Sequence, residues 1–338
     1  MTDALTIRVG GSAVVTDLGR TRGSQFGLPV NGALDQYSAR VANILVGNRS
    51  ADPLIEIIAL DLEFVTSVDI LFAVTGATMS VFVNEVSQPQ WEPVSARAGD
   101  VIALRDMSSG LRTYLAVHGS FDVPFLLGSC APDTVVGFGT RLTSGTKLAV
   151  NQEVAPISNP YFDAALYNLH VQRPPLGDIV RIDITDGPDR ADFGLTGGRL
   201  FAGPYTVGAN SNHIGLRLSG ALPERQSCGE LLSRGVPVGA IEAPPGNELL
   251  VLHRGRGVTA GYPVLAVVTT TSLNLLAQVR PGQQLAFRRV EVARATELAR
   301  IQRDSLAALN ARVRNVFISL GAKNVINRNL IGTTRALL

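Results

Sequence analysis

The 338-residue chain has little cysteine, little net charge and no long apolar run. Its two cysteines, Cys130 and Cys228, provide neither a disulfide framework nor a metal-binding spacing, so we expect a reducing, cytoplasmic setting. The formal net charge of +2 argues against nucleic acid as a partner. No segment approaches the roughly 20 apolar residues of a membrane span, and the first residues do not resemble a signal peptide. We therefore expect no membrane association.

Nucleotide- and metal-binding motifs are also missing from the sequence. It contains no GxxxxGK[ST] motif and no Rossmann glycine pattern followed by a helix. His170 and His253 have no metal-ligand spacing to another histidine or cysteine, so we predict no bound metal. No Ala-Met-Lys-Met motif for biotin attachment is present either. The sequence therefore predicts no intrinsic cofactor.

The composition is that of a folded, turn-rich protein: 46% of residues are hydrophobic, 17% are charged, and there are 34 glycines and 18 prolines. Residues 5–16 alternate apolar and polar side chains, which predicts a strand. Asp35 is expected to cap a helix that Gly47 ends. Many short β-like runs follow, separated by turn residues, and they favour a barrel or sandwich over a parallel α/β sheet. These runs are Leu54–Ile58, Asp61–Val65, Ile70–Thr75, Met79–Val83, Val101–Leu104 and Tyr114–Val117.

The chain divides into two β-rich parts of similar size. We predict a first half at residues 1–150, a proline-rich linker at 151–178 with a short helical segment near Asp163–Leu169, and a second half at 179–290. Residues 291–338 form a C-terminal region, with a helix over about 290–316 and a basic tail after Ser319. The tail is either a docking arm for another protein chain or a frayed end.

A glycine-rich bend at Leu252–Pro263 stands out in the second half. Apolar runs precede and follow it, so the pattern predicts a strand, a bend and a second strand. Glycines allow the backbone to approach a ligand, while the bend's Arg256, Thr259 and Tyr262 carry groups that hold an anion or a planar polar molecule. The alternative is a hairpin whose polar residues face solvent.

Short motifs follow in order along both halves. The first half contains Val15–Arg20, Gly27–Val30, Gly32–Asp35, Ala42–Asn48 and Leu54–Ile57. The second half contains Gly187-Pro188, Gly235–Pro237, Gly239–Ile241 and Gly261–Pro263. From about residue 5 to residue 290, these motifs resemble the allophanate hydrolase subunit 2 family, also called the KipA or biotin-dependent carboxyltransferase-like family.

The resemblance implies a mainly β fold of two cyclophilin-like β-barrel halves, with short helices, a C-terminal helix and a site between the halves. It implies either the carboxyltransferase part of urea carboxylase or the C subunit of 5-oxoprolinase, which works with a B-type subunit. The substrate would then be a small amide, lactam or urea-like molecule. ATP or carboxy-biotin would reach the chain through a partner subunit. A homo-oligomer is also compatible with the sequence.

The chain departs from the family pattern at polar positions of the second half. The bend lacks the usual acid, amide and lysine, which correspond to Gly255, Gly257 and Val264. His213 stands where the family has arginine, and Glu242 where it has glutamine. Two alternatives therefore stay open: a stand-alone enzyme repurposed for a biosynthetic step, and a non-catalytic subunit that binds a partner.

Four residues are predicted to take part in catalysis: His213, Glu242, Tyr262 and His118. If His213 and Glu242 face each other, they form an acid–base pair in which Glu242 raises the pKa of His213. His118 follows the strand Tyr114–Val117 and is either an added acid–base group or a solvated side chain.

Four further residues are predicted to bind substrate: Arg256, Thr259, Asp35 and Arg20. Arg256 and Thr259 keep the family's residue types in the bend. The role of helix cap by itself accounts for Asp35. Arg20 is expected either to bind an anion or to pair with nearby Asp17.

Overall fold

A computed structural model describes residues 3–151, 169–226, 229 and 231–322. Within these residues the protein is mainly β, as predicted. Most of the predicted linker, the greater part of its helical segment near residues 163–169, Cys228 and the tail beyond residue 322 lie outside the described residues. No helix in the described ranges is long and apolar enough to cross a membrane.

The first half is built on a ten-stranded sheet. Its main hydrogen-bonded path runs β10-β1-β4-β8-β3-β2-β9, and β5 joins it through β8 and also pairs with β6 and β7. The strands are β1 Asp3–Val9, β2 Val14–Thr16, β3 Leu54–Ile58, β4 Leu62–Thr66, β5 Ile70–Val83, β6 Val86–Gln88, β7 Pro93–Ala96, β8 Val101–Val117, β9 Thr140–Arg141 and β10 Lys147–Ala149. A short 3₁₀ helix covers Ser24–Phe26.

The second half is a closed seven-stranded barrel in the order β11-β18-β15-β16-β13-β12-β19, with a separate two-stranded sheet of β14 and β17. The strands are β11 Ile179–Asp186, β12 Tyr205–Val207, β13 Gly215–Ser219, β14 Arg234–Gly235, β15 Ala240–Glu242, β16 Leu249–Leu252, β17 Thr259–Ala260, β18 Val264–Val268 and β19 Gln284–Arg289. A 3₁₀ segment covers Arg190–Phe201. Apolar side chains from the barrel strands form a core of their own.

The strands of the first half are longer than the sequence pattern suggested. The predicted pairs of short runs at 70–83 and at 101–117 each form one continuous strand, and the two strands pair antiparallel. The turn signal at Thr75-Gly76 marks an irregularity in the register, where Gly76 has φ of 91°. A left-handed glycine within a strand produces a bulge and not a turn. Conversely, the single strand predicted at 5–16 is divided by a turn at Gly11-Ser12.

The first helix, α1 (Gln36–Leu45), follows the predicted rules. Asp35 caps it by accepting a hydrogen bond of 3.0 Å from Ser38 N. Gly47, with φ of 73°, follows its last turn. Its apolar side chains, including Val41 and Leu45, are buried in a cluster with residues of β5 and β8.

The C-terminal helix, α3 (Val292–Ser319), returns to the first half. A short helix, α2 (Ser272–Leu276), and β19 precede it in the second half. Leu309, Val313 and Phe317 are buried in the same cluster as Tyr37 and Val41 of α1. The last helix therefore contributes to the core of the half to which it is not adjacent in sequence.

Candidate functional site

The glycine-rich bend connects two strands, as predicted, but these strands do not form a hairpin. Strand β15 lies between them and pairs with β16 on one side and with β18 on the other. Part of the bend forms β17, which pairs with β14. The bend therefore spans one intervening strand of the barrel, and its backbone also pairs with β14.

Glu242 and Arg256 form the centre of this region. Glu242 is only 1% exposed on β15, and its Oε1 has no hydrogen-bond partner among the described residues. Burial raises the pKa of Glu242 to about 7, although the charges of Arg234 and Arg256 oppose that rise. Nε of Arg256 is likewise buried without a described partner. Burial lowers the pKa of Arg256, and the charge of Glu242 opposes that change. A buried carboxyl group and a guanidinium thus both have polar atoms available for a ligand.

An ion pair with an aspartate limits how Arg234 takes part. Its guanidinium pairs with Asp189, and the same carboxylate accepts a hydrogen bond of 2.7 Å from Val264 N. The carboxylate of Asp189 therefore contacts both β14, through Arg234, and β18, through Val264. Arg234 is thus held by Asp189, although its charge still acts on Glu242, and Arg256 is the other nearby cation, whose buried Nε has no described partner.

His213 and Glu242 do not appear among the charged groups that act on each other, so nothing in the described residues supports the hypothesis of an acid–base pair. The charged groups that act on His213 are Arg112, Asp133 and Arg141, all from the first half, and its pKa is lowered, first by the partial burial of a ring that still reaches the surface. The barrel order explains the separation: His213 precedes β13, Glu242 lies on β15, and β16 runs between these strands. The charges that act on His213 thus come from the first half.

Arg20 and His118 have structural partners. Arg20 is completely buried and its Nη1 lies 2.9 Å from Oδ2 of Asp133, so it neither pairs with Asp17 nor faces solvent. Asp17 instead accepts a hydrogen bond of 2.6 Å from Ser129 Oγ. His118 is buried, and its Nδ1 lies 2.7 Å from Val46 O, at the end of α1, so it is not a solvated strand-end side chain.

Asp35 lies at a pocket between the halves. Besides capping α1, its Oδ2 accepts hydrogen bonds of 2.6 Å from Ser38 Oγ and 2.8 Å from Gln278 Nε2. Burial raises its pKa, while these hydrogen bonds lower it. The pocket has a volume of about 210 Å³. Its polar lining includes Asp35, Ser38, Gln90, Arg173, Asn274 and Gln278.

The remaining bend residues lie at the surface. Tyr262 is 43% exposed, and Thr259 is exposed on β17. The structure therefore does not bring Tyr262 or Thr259 into the buried Glu242–Arg256 pair. They border it along the bend.

Four polar residues at the junction of the halves were missed from the sequence: Arg112, His253, Arg254 and Gln278. His253 and Arg254 belong to a basic run with Arg256, and this clustering was the available signal. Arg112 and Gln278 come from distant segments that no local pattern connects. In the described part of the chain, no group of three or more His, Cys, Asp or Glu side chains is arranged to hold a metal.

Comparison with known proteins establishes the family. The model of the carboxyltransferase domain, subdomains A and B, matches residues 26–289, and the chain belongs to this family. The C subunit of the 5-oxoprolinase of Escherichia coli strain K12 is 31% identical, over 91% of this chain and 98% of the relative. The urea amidolyase of Saccharomyces cerevisiae is 29% identical, over 80% of this chain and 16% of that protein. The crystal structure of Kluyveromyces lactis urea amidolyase has a TM-score of 0.81 and 26% identity, over 90% of this chain and 20% of that chain.

Proposed function

We propose that the chain is the carboxyltransferase-like subunit of a multi-subunit enzyme that acts on a small amide, lactam or urea-like substrate. The similarity to the C subunit of 5-oxoprolinase supports the 5-oxoprolinase type, because it extends over 98% of that relative. The similarity to urea amidolyase covers only 16% of a much longer protein. A subunit of this kind requires a B-type partner for turnover.

The Glu242–Arg256 pair is the observation that carries this proposal. An amide has a carbonyl oxygen that accepts hydrogen bonds and an N–H that donates them. Arg256 can donate to the carbonyl oxygen, and ionised Glu242 can accept the N–H and take its proton. A carboxyl group with a pKa near 7 is suited to proton transfer at neutral pH. The carboxyl of Asp35 is less suited, because Ser38 and Gln278 already bind it.

ATP or carboxy-biotin would be supplied through the partner. At the position where the resemblance places a lysine, Val264 carries no charge, and its backbone nitrogen binds Asp189. Among the charged groups described around Glu242, Arg256 is therefore the residue that would meet the oxygen of a carboxylated or phosphorylated group. In this proposal Arg256 binds and orients that oxygen, while Glu242 holds or moves the proton.

The experiment is co-expression with a B-type subunit and with any further subunit that turnover requires. The purified complex is then assayed for 5-oxoproline-dependent ATP hydrolysis. A stable complex with turnover is the expected result. Glu242→Gln should lower kcat by about 100-fold or more, within the usual range for the loss of a general base. Glu291→Gln is the matched control, because Glu291 is exposed before α3. A complex that turns over equally well with Glu242→Gln contradicts the assigned role.

A second function, that of a stand-alone enzyme, is favoured by one observation: residue 242 is an acid where the resemblance expects an amide. An ionisable side chain adds acid–base chemistry that glutamine lacks. This alternative predicts that the chain purifies alone and hydrolyses a small amide with a rate that Glu242→Gln abolishes. A chain that binds a partner while Glu242→Gln and Arg256→Lys change nothing would instead be a non-catalytic subunit.

A further inference from the structure

Two arginines and two histidines come together at the junction of the two halves, and no acidic side chain of the described residues forms an ion pair with them. Arg112 comes from β8 of the first half, and His213, His253 and Arg254 come from the second half. His253 is 1% exposed, and its Nε2 has no hydrogen-bond partner among the described residues. The buried Nε atoms of Arg112 and Arg254 also lack described partners. Three of these side chains, those of Arg112, His253 and Arg254, therefore have a buried nitrogen that the described residues do not use.

Backbone contacts hold these side chains in place. His253 N donates to Ile214 O at 2.8 Å, which extends the pairing of β13 and β16 and keeps the two histidine segments adjacent. Asn31 N donates to Arg254 O at 3.0 Å, which ties the bend to the first half. The ring of His213 lies against Gly255, where an added Cβ would be only 2.5 Å from the histidine Cδ2. A side chain at position 255 would therefore displace His213.

The charged groups around the cluster are mostly basic. Every charged group that acts on His253 is cationic, namely Arg112, Arg254 and His213, and burial together with these charges lowers its pKa well below the ordinary value. Burial lowers the pKa of Arg254 to about 10. The charged or titratable groups that act on Arg254 are Tyr114, Arg40 and Arg256.

The acid that faces the cluster is already used. Asp133 acts on His213, together with Arg112 and Arg141. Its Oδ2 accepts hydrogen bonds of 2.9 Å from both Arg20 and Asn31. Its Oδ1 accepts from Val135 N at 2.9 Å. The carboxylate therefore cannot neutralise the cluster, and an external anion can supply the missing charge.

We propose that Arg112, His213, His253 and Arg254 form a binding site for a small planar oxyanion of the carboxylate class. Guanidinium groups hold such oxygens through charge-assisted hydrogen bonds, and a buried imidazole adds a further donor. The half-buried Arg254 and the exposed His213 leave the site open on one side. The oxyanion comes either from the carboxylate of a lactam substrate, which rests on the proposed function, or from free bicarbonate.

The test measures binding to the complete purified chain by isothermal titration calorimetry, without partner subunits or ATP. Three probes are used: L-5-oxoproline, 2-pyrrolidinone, which is the same lactam ring without the carboxylate, and sodium bicarbonate. We expect Arg254→Gln to weaken binding of at least one of the two oxyanions by about tenfold to a hundredfold, and to leave binding of 2-pyrrolidinone unchanged. The matched control is Arg217→Gln, because Arg217 is exposed and pairs with Glu248.

A second variant tests the site even if Arg254→Gln does not fold. His213→Gln alters an exposed side chain and should also weaken oxyanion binding. Anion binding favours protonated histidine, so the wild-type affinity for 5-oxoproline, whose carboxylate stays ionised over this range, should rise as the pH falls from about 8 to about 6. His213→Gln should reduce that pH dependence, while Arg217→Gln should keep it.

The outcomes separate the site from the proposed activity. Binding of 5-oxoproline that Arg254→Gln weakens identifies a substrate carboxylate, and the same result with bicarbonate identifies a free oxyanion. The site is overturned if neither oxyanion binds, or if both substitutions leave binding unchanged. Because the assay needs no partner, intact oxyanion binding without turnover of the complex would contradict only the proposed function.

Discussion

Nε2 of Gln278, in the second half, donates a hydrogen bond of 2.8 Å to Oδ2 of Asp35, at the start of α1. The same nitrogen donates to Arg112 O at 2.9 Å, and Oε1 accepts hydrogen bonds from Leu111 N at 2.9 Å and Arg112 N at 3.0 Å. One side-chain amide therefore meets four polar groups of the first half. This contact joins the wall of the pocket to the segment that carries Arg112.

Gln278→Ala should lower the free energy of unfolding by about 3 kcal/mol. The substitution removes four hydrogen bonds and leaves buried polar groups without partners, which is the costly case for hydrogen bonds. Chemical denaturation measures the change. Gln284→Ala is the control, because Gln284 is exposed on β19, and it should change stability by no more than about 0.5 kcal/mol. Equal losses in the two variants would contradict the joining role of Gln278.

The raised pKa of Glu242 predicts a pH-dependent stability. The unfolded carboxyl has an ordinary pKa of 4.5, whereas the folded protein keeps the proton until the pH reaches about 7. The folded state thus binds more protons in this window, so the stabilising contribution is complete below pH 4.5 and is lost as the pH rises through 7.

Glu242→Gln removes this titration and should make the protein progressively more stable than the wild type between pH 4.5 and pH 8. The difference should grow by up to about 3 kcal/mol over this range. Denaturant unfolding at a series of pH values measures it. For Glu291→Gln, at an exposed site, the difference in unfolding free energy from the wild type should not change with pH. If the difference for Glu242→Gln does not change with pH either, the pKa of Glu242 is ordinary.

Much of the fold was predictable because the relevant signals are local. The Asp35 cap and the apolar face of α1 lie within one short segment, and the strands on both sides of the bend lie within another. The long strands were divided in the prediction because a glycine at a bulge has the same appearance in sequence as a glycine at a turn. Only the pairing of β5 with β8 distinguishes the two cases.

The site was less predictable because its members come from distant segments. Glu242 and Arg256 were both named from the sequence, but their common surroundings depend on β15 lying between β16 and β18. The suggested pairing of His213 with Glu242 could not be judged from the sequence for the same reason, since it depends on the order of β13, β16 and β15 in the barrel. Arg112 gave no local signal, because its partners Ala277 and Gln278 lie more than 160 positions away along the chain.

Arg20→Met tests whether Arg20 is structural. The substitution leaves the carboxylate of Asp133 buried without its ion-pair partner, and breaking a buried pair from one side costs about 3–5 kcal/mol. Thermal or chemical unfolding measures the loss. Adding Asp133→Asn should recover part of it, because the remaining group is then neutral. Arg22→Met is the exposed control. A stable Arg20→Met protein with weakened anion binding would instead support the ligand role first considered for Arg20.

Phe317→Ala tests whether α3 is part of the first half's core. Phe317 is 1% exposed and packs in the cluster that contains Tyr37 and Val41 of α1, so its truncation leaves a cavity that α1 and α3 share. Loss of a buried phenylalanine side chain costs about 3–5 kcal/mol. The neighbouring Ile318 is 47% exposed, so Ile318→Ala should cost much less at the same level of the helix. Hydrogen exchange locates the effect: amides of α1 should lose protection in Phe317→Ala while the barrel strands of the second half keep theirs. If both variants unfold alike, or if the barrel alone is affected, α3 does not stabilise the first half.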